Sequence, residues 1–244
     1  MKKEIPFHRY LYENCREGSR GGNAELCPSI LSADFNRLGE QLRTLEEKGI
    51  RMLHIDVMDG MFVPSISFGM PVIRSIRKES GLFFDVHLMI MQPERYIQEI
   101  ADCGADSITF HLEAAEDPAK VIRLIHEAGK KAAISIRPDT PVEELRPYLK
   151  DLDFVLLMTV EPGLGNQKYI DACTQKIRQL RRILQDEQLE LDIQVDGGIH
   201  DETIGTAMDA GANLLVMGSG VFHGDLAENV EKYQSMIGRG IPDV

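Results

Sequence analysis

No stretch of this chain approaches the ~20 consecutive apolar residues a membrane-crossing helix needs, which excludes a transmembrane reading. Cysteine is scarce and scattered. Cys15, Cys27, Cys103 and Cys173 form no Cys-x-x-Cys pair, so neither a zinc cage nor a disulfide framework is expected. Reduced thiols in the cytoplasm are the simplest reading of that pattern. Positive charge is also in deficit: 27 Lys and Arg against 39 Asp and Glu leave a net charge of −12, which argues against a nucleic-acid surface. An anionic ligand must then be held by local dipoles, because the overall field repels it. The opening residues, Met1-Lys2-Lys3-Glu4-Ile5-Pro6 followed by Arg9, Glu13, Arg16, Glu17 and Arg20, lack the apolar segment of a secretory signal.

What is present is a regular alternation. Residues 1–24 are polar, contain Gly18, Gly21 and Gly22, and show no sustained period; they read as a mobile N-terminal extension. From Glu25 to the C-terminus, short apolar runs read as buried strands. They are Leu26–Ile30, Met52–Val57, Phe83–Leu88, Ser107–Phe110, Ala132–Ile136, Phe154–Met158, Ile193–Val195 and Leu214–Met217. Amphipathic helix patterns lie between them, such as Phe35-Leu38-Leu42-Leu45 and Val121-Leu124-Ile125-Ala128. Gly49, Gly104, Gly129 and Gly211 stand where a helix should stop before the next strand. Eight such units in one domain, residues 25–244, predict an α/β fold of the (β/α)8 TIM-barrel type. An open doubly wound sheet is the alternative, but no Gly-x-Gly-x-x-Gly follows the first strand. Pro138, Pro141 and Pro147 are expected to shape a loop and a short helix after the fifth strand.

In such a barrel, polar residues at strand C-termini and in the following loops face the active-site mouth. That rule selects Ser29, His54, Asp56, Met58, His87, Met89, His111, Glu113, Met158 and Asp196. It also selects three glycine-rich turns: Gly163-Leu164-Gly165-Asn166, Gly197-Gly198 and Gly218-Ser219-Gly220. The run His54-Ile55-Asp56-Val57-Met58-Asp59-Gly60 is the focus, because a period of two puts His54, Asp56 and Met58 on one face. With His87 and Asp196, this run offers two imidazoles and two carboxylates. That set suits one divalent cation such as zinc, iron(II), manganese or cobalt. A hydrogen-bonded polar layer is the competing reading, and His111-Leu112-Glu113 repeats the same spacing. The glycine turns can present converging backbone N–H groups to a phosphate; tight strand exits are their plainer use. Met58, Met89 and Met158 either fill the core or line the site as an apolar lid. His126, His200 and His223 are expected to be solvated, without a chemical role.

These residues resemble the ribulose-phosphate 3-epimerase family. The resemblance rests on Pro28-Ser29-Ile30-Leu31-Ser32-Ala33-Asp34-Phe35, the His54–Gly60 run, Phe62-Val63-Pro64 and Asp85-Val86-His87-Leu88-Met89. It continues through Met158-Thr159-Val160-Glu161-Pro162-Gly163, Gln194-Val195-Asp196-Gly197-Gly198-Ile199 and Met217-Gly218-Ser219-Gly220-Val221-Phe222. It implies a metal-dependent inversion at C3 that interconverts D-ribulose 5-phosphate and D-xylulose 5-phosphate. By position, His54, Asp56, His87 and Asp196 would bind the metal, and Asp56 and Asp196 would be the acid/base pair. Ser29 and His87 would contact the sugar, with Gly163, Leu164, Gly165, Asn166, Gly197, Gly198, Gly218 and Ser219 around the phosphate. A small phosphorylated sugar as partner and a homo-oligomer in the cytoplasm complete the expectation.

The chain departs from the family pattern in places, which marks a divergent paralogue. Met61 and Ser65 replace a usual His and Asn, Arg137 stands at a usual Asn, and Asn166 replaces a glycine of the phosphate loop. Two rivals are an epimerase of D-allulose 6-phosphate and a non-catalytic sugar-phosphate binder. The intact Gly197-Gly198 leans toward the pentulose, and retention of two opposed carboxylates weighs against a pure binder.

Overall fold

Runs rich in Val, Ile, Leu and Phe become strands here because each is covered on both faces, as a parallel sheet requires. The computed structural model describes residues 24–165 and 167–238, so residues 1–23 of the expected extension and Asn166 lie outside the described residues. The strands are β1 (Glu25–Pro28), β2 (Met52–Met58), β3 (Phe83–Met89), β4 (Ser107–His111), β5 (Lys131–Ile136), β6 (Phe154–Met158), β7 (Asp192–Asp196) and β8 (Leu214–Met217). All pair in parallel in the order β1-β8-β7-β6-β5-β4-β3-β2, and a parallel bridge between Ser29 and His54 joins the two ends. The expected (β/α)8 barrel is what forms.

The helices are α1 (Leu38–Glu47), α2 (Met70–Arg77), α3 (Ile97–Asp102), α4 (Pro118–Glu127), α5 (Ala172–Asp186), α6 (Ile204–Asp209), α7 (Ser219–Phe222) and α8 (Leu226–Gly238). The alternation fails once. Between β5 and β6 the chain makes two 3-10 turns, Val142–Leu145 and Leu149–Asp151, rather than an α-helix. Pro141 caps the first turn and Pro147 separates the two, each lacking the N–H a continuous helix would need.

Outward strand residues such as Ile55, Phe84, Val86, Ile134 and Val195 are fully buried against the helix layer. Inward residues stack in layers whose chemistry changes along the barrel axis. Cys27, Met52, Ala133, Phe154 and Leu214 form an apolar plug toward the N-terminal end, and Val216, in register with Asp196, packs on it from the mouth side. Polar side chains follow above it, and Met58 and Met89, paired in register, stand at the C-terminal mouth.

The end opposite the mouth carries a structural knot. Arg77, at the end of α2, donates to Leu82 O at 2.9 Å, to Asp106 Oδ2 at 3.0 Å and to Ser80 O, with its guanidinium 3.8 Å over the Phe84 ring. A lysine cannot reproduce this planar fork. Arg77→Lys is expected to destabilise the fold by roughly 1–3 kcal/mol while leaving the kinetic constants unchanged. Thermal unfolding paired with steady-state assays checks this; a loss of turnover at unchanged stability would contradict it.

Candidate active site

The β2/β3 register sets the centre of the site. It places His54 opposite Asp85, Asp56 opposite His87 and Met58 opposite Met89. Across the barrel, β7 ends at Asp196, paired with Met158 of β6. Ligand atoms of His54, Asp56, His87 and Asp196 all lie within 4.8 Å of one another. His54 Nε2 and His87 Nδ1 each approach Asp56 Oδ1 to 3.2 Å and Asp196 Oδ2 to 4.0 Å. The four residues chosen from the sequence as metal ligands therefore converge.

The polar layer considered as their rival is also present, one step deeper. Asp85 is fully buried and accepts from His54 Nδ1 at 2.8 Å, Gln194 Nε2 at 2.8 Å, Ser107 Oγ at 2.8 Å and Thr109 Oγ1 at 3.2 Å. Burial opposes its charge, but His54 and these donors hold the carboxyl below its ordinary range. By holding Nδ1 of His54 at 2.8 Å, Asp85 turns Nε2 toward the cluster. His54 Nε2 is buried without a hydrogen-bond partner. An orphaned imidazole nitrogen aimed at two carboxylates fits a divalent cation, and the mixed N,O donor set suits zinc, iron(II), manganese or cobalt.

The two carboxylates differ in proton affinity. Burial pushes Asp56 up, but the imidazoles of His54 and His87, each 3.2 Å from its Oδ1, outweigh it and hold Asp56 far below the usual carboxylate range. Ser29 Oγ adds a donor to Asp56 Oδ2 at 2.5 Å. Asp196, 17% exposed at its side chain, is pushed up to about 7 by burial and by the negative charge of Asp56. His54 is pulled up well above its ordinary value, because Asp56 and Asp85 overcome the effect of burial.

Above the cluster lies a cavity of about 280 Å³ at the mouth. Ser29, Asp56 and Asp196 form part of its floor, and Met58, Met89 and Met158 line it. The glycine turns meet there too: Gly163, Leu164, Gly165, Gly197, Gly198, Gly218 and Ser219 all border the same space. Gly197 and Gly198 make the tight strand exit, and both border the cavity. Their φ angles are +113° and +66°, and a Cβ would fall 2.3 Å from Val160 Cγ2 and 2.4 Å from Tyr169 N. Only glycine permits this exit while leaving the backbone open to the cavity.

Two expectations need correction. His54, His87, His111 and Glu113 do not line the mouth cavity; the three histidines are fully buried, and His111 reaches His87 from the side, with 3.0 Å between their Nε2 atoms. His200, expected to be merely solvated, borders the cavity at its rim. Asp85 and Gln194 belong to the strand motifs, but no spacing in the sequence signals that they support His54. Their positions on the inward face of β3 and β7 are the one sequence signal that could have found them.

Fold and site together define a (β/α)8 barrel with a cation-competent His/Asp cluster beneath a glycine-lined pocket. A family model described as the ribulose-phosphate 3 epimerase family matches residues 25–222. A Bacillus subtilis ribulose-phosphate 3-epimerase is 45% identical over 199 residues, covering 81% of this chain and 92% of the relative. One from Schizosaccharomyces pombe is 40% identical over 210 residues, covering 85% and 90%. This chain belongs to the ribulose-phosphate 3-epimerase family. More distant structures share the fold: a 3-hexulose-6-phosphate synthase at TM-score 0.64 and 16% identity covers 87% of this chain and 99% of its own. A mutant tryptophan synthase α-subunit from Pyrococcus furiosus, at TM-score 0.63 and 17% identity, covers 89% and 98%.

The raised Asp196 has a consequence for stability. Its folded value of about 7 lies above its ordinary 3.8, so between these the folded state binds more protons than the unfolded state. Stability from this group is therefore full below about pH 4 and lost as pH rises toward 7. In cation-free protein, wild type should lose on the order of 4 kcal/mol relative to Asp196→Asn across that window. Urea unfolding of both proteins at several pH values measures the gap; a gap that stays constant would refute it.

Proposed function

We propose that this chain is a metal-dependent epimerase that inverts C3 of a ketose phosphate, interconverting D-ribulose 5-phosphate and D-xylulose 5-phosphate. One observation carries the reading: two carboxylates from separate strands, Asp56 and Asp196, meet in a cation-competent cluster that floors a glycine-lined cavity.

Epimerisation removes a proton beside the ketone on one face and returns one on the other, which a single carboxylate cannot do. The two aspartates are tuned apart as such chemistry needs. Asp56, held ionised by His54 and His87, takes the C3 proton, while Asp196, with an affinity near neutrality, delivers one. The roles exchange in the reverse direction. Ser29 keeps one Asp56 oxygen in place and faces the sugar.

Acid–base catalysis of this kind contributes about 10²–10⁴-fold, short of the roughly 10⁶ or more that enzymes reach. Stabilisation of the enediolate oxygens must supply much of the rest. A divalent cation held by His54, Asp56, His87 and Asp196 would supply positive charge to those oxygens. Met58, Met89 and Met158 surround the reacting carbons with thioethers that have no proton to donate. Backbone N–H groups of Gly163–Gly165, Gly197, Gly198, Gly218 and Ser219 hold the phosphate, which suits a protein whose net charge repels anions.

A cytoplasmic homo-oligomer belongs to the same reading. Cys27, Cys103 and Cys173 are buried free thiols, which supports a reducing compartment. Met61, Ile66 and Leu164 are strongly exposed around the mouth, which supports a rim covered by another subunit.

The purified protein is expected to exchange the C3 hydrogen of ribulose 5-phosphate with deuterated water and to turn over allulose 6-phosphate more slowly. Asp56→Asn and Asp196→Asn should each reduce turnover by about 10²–10⁴-fold or more. Normal epimerisation by either variant would sink the two-base assignment. Full activity after chelation, with metal absence confirmed by elemental analysis, would remove the cation from it.

A further inference from the structure

A second line of polar groups leads away from the cation cluster, and the chemistry above does not use it. His87 Nδ1 lies 3.2 Å from Asp56 Oδ1, and His87 Nε2 lies 3.0 Å from His111 Nε2. His111 Nδ1 in turn lies 3.3 Å from Glu113 Oε2. His87, His111 and Asp56 are all buried.

Counting protons shows what this line can do. It contains three hydrogen-bond positions: Asp56 to His87, His87 to His111, and His111 to Glu113. Two neutral imidazoles bring one N–H each, and ionised carboxylates bring none. One position is therefore always left with lone pairs facing each other.

Glu113 decides where that gap falls. Its other oxygen accepts the Arg137 backbone N–H at 2.8 Å and the Thr140 hydroxyl, so the carboxylate is anchored with Oε2 toward His111. It takes the His111 proton on Nδ1. His111 Nε2 then becomes an acceptor, and His87 must donate its Nε2–H to it. The gap moves to the contact between His87 Nδ1 and Asp56, where His54 Nε2 and Asp196 also converge. A cation at that place supplies the positive charge that the line lacks.

The outer end of the line is covered. The Phe62 ring packs against His111 with 4.7 Å between ring centroids, and the Arg137 guanidinium lies 4.5 Å over Phe62. Arg137 also donates to Phe62 O at 3.0 Å, fastening the loop after β2 across His111.

We propose that His111 and Glu113 are positioning residues that keep the His87 proton on Nε2 and so turn its Nδ1 lone pair toward the cation. The proposal rests on the reading of His87 as a ligand, and the test separates the two.

In full-length protein with 15N-labelled histidine and bound Zn²⁺, long-range 1H–15N spectra are expected to show His87 protonated at Nε2 and His111 at Nδ1. The opposite tautomer at either ring overturns the proposal, and this measurement needs no variant. Co²⁺ affinity, read by competition with a chromophoric chelator, supplies the second arm. His111→Phe is expected to lose about 10–100-fold. His111→Gln, whose amide oxygen can accept the His87 Nε2–H, is expected to stay within a few-fold of wild type. Unchanged affinity in His111→Phe, or equal loss in both variants, overturns the relay. Retained Co²⁺ affinity in His87→Ala would defeat the ligand reading itself.

Discussion

Burying negative charge inside a barrel that is already acidic is the constraint on which the rest of the structure depends. Asp56, Asp85 and Asp196 lie within one set of facing strands in a chain of net charge −12. Two like charges a few ångströms apart in a low-dielectric interior repel strongly, so each carboxylate needs its own compensation. Asp85 finds it in four protein donors. Asp56 finds it in Ser29 and the two imidazoles. Asp196 is left with a raised proton affinity, and the cluster as a whole retains an unpartnered nitrogen on His54. A structural ion network would close its donors and acceptors internally. This one is open at the position where all four groups converge, which is what a cation and a substrate need.

The barrel separates this unstable arrangement from the parts that hold the fold. The outward face of every strand contributes aliphatic and aromatic side chains to the layer beneath the helices, and the N-terminal plug is apolar. Arg77, through the Leu82 carbonyl and the Asp106 carboxylate, fastens the far end. The polar interior can therefore carry strained proton states without the rest of the sheet having to respond. The Met58, Val63 and Met89 cluster then screens the reacting groups from above.

Much was legible along the chain, because strand and helix periods are local. The alternation of apolar runs and amphipathic segments predicts the barrel, and the strand-end rule finds the cluster residues and the glycine turns. The prolines between β5 and β6 predict a loop and a short helix, and two 3-10 turns form there instead of an α-helix. What local pattern could not do was rank His54-Ile55-Asp56 above His111-Leu112-Glu113. Both runs put a histidine and an acid near a strand end with one residue between them. Family likeness, carried by several motifs in order, separated them before any geometry was available.

The sequence by itself determined the elements, the side of each strand that its residues face, and the residue types gathered at the mouth. Side-chain direction follows from a period of two and needs no partner. Tertiary structure alone decided which residues meet. The parallel register brings Asp56 beside His87, sheet closure brings β1 to β2 through Ser29 and His54, and the turn of the barrel brings Asp196 across to both. It also moved His111 and Glu113 away from the mouth and into line behind His87. Their meaning depends on who shares their protons, and a hydrogen-bond partner more than twenty residues distant is set by the fold, since no local spacing encodes it.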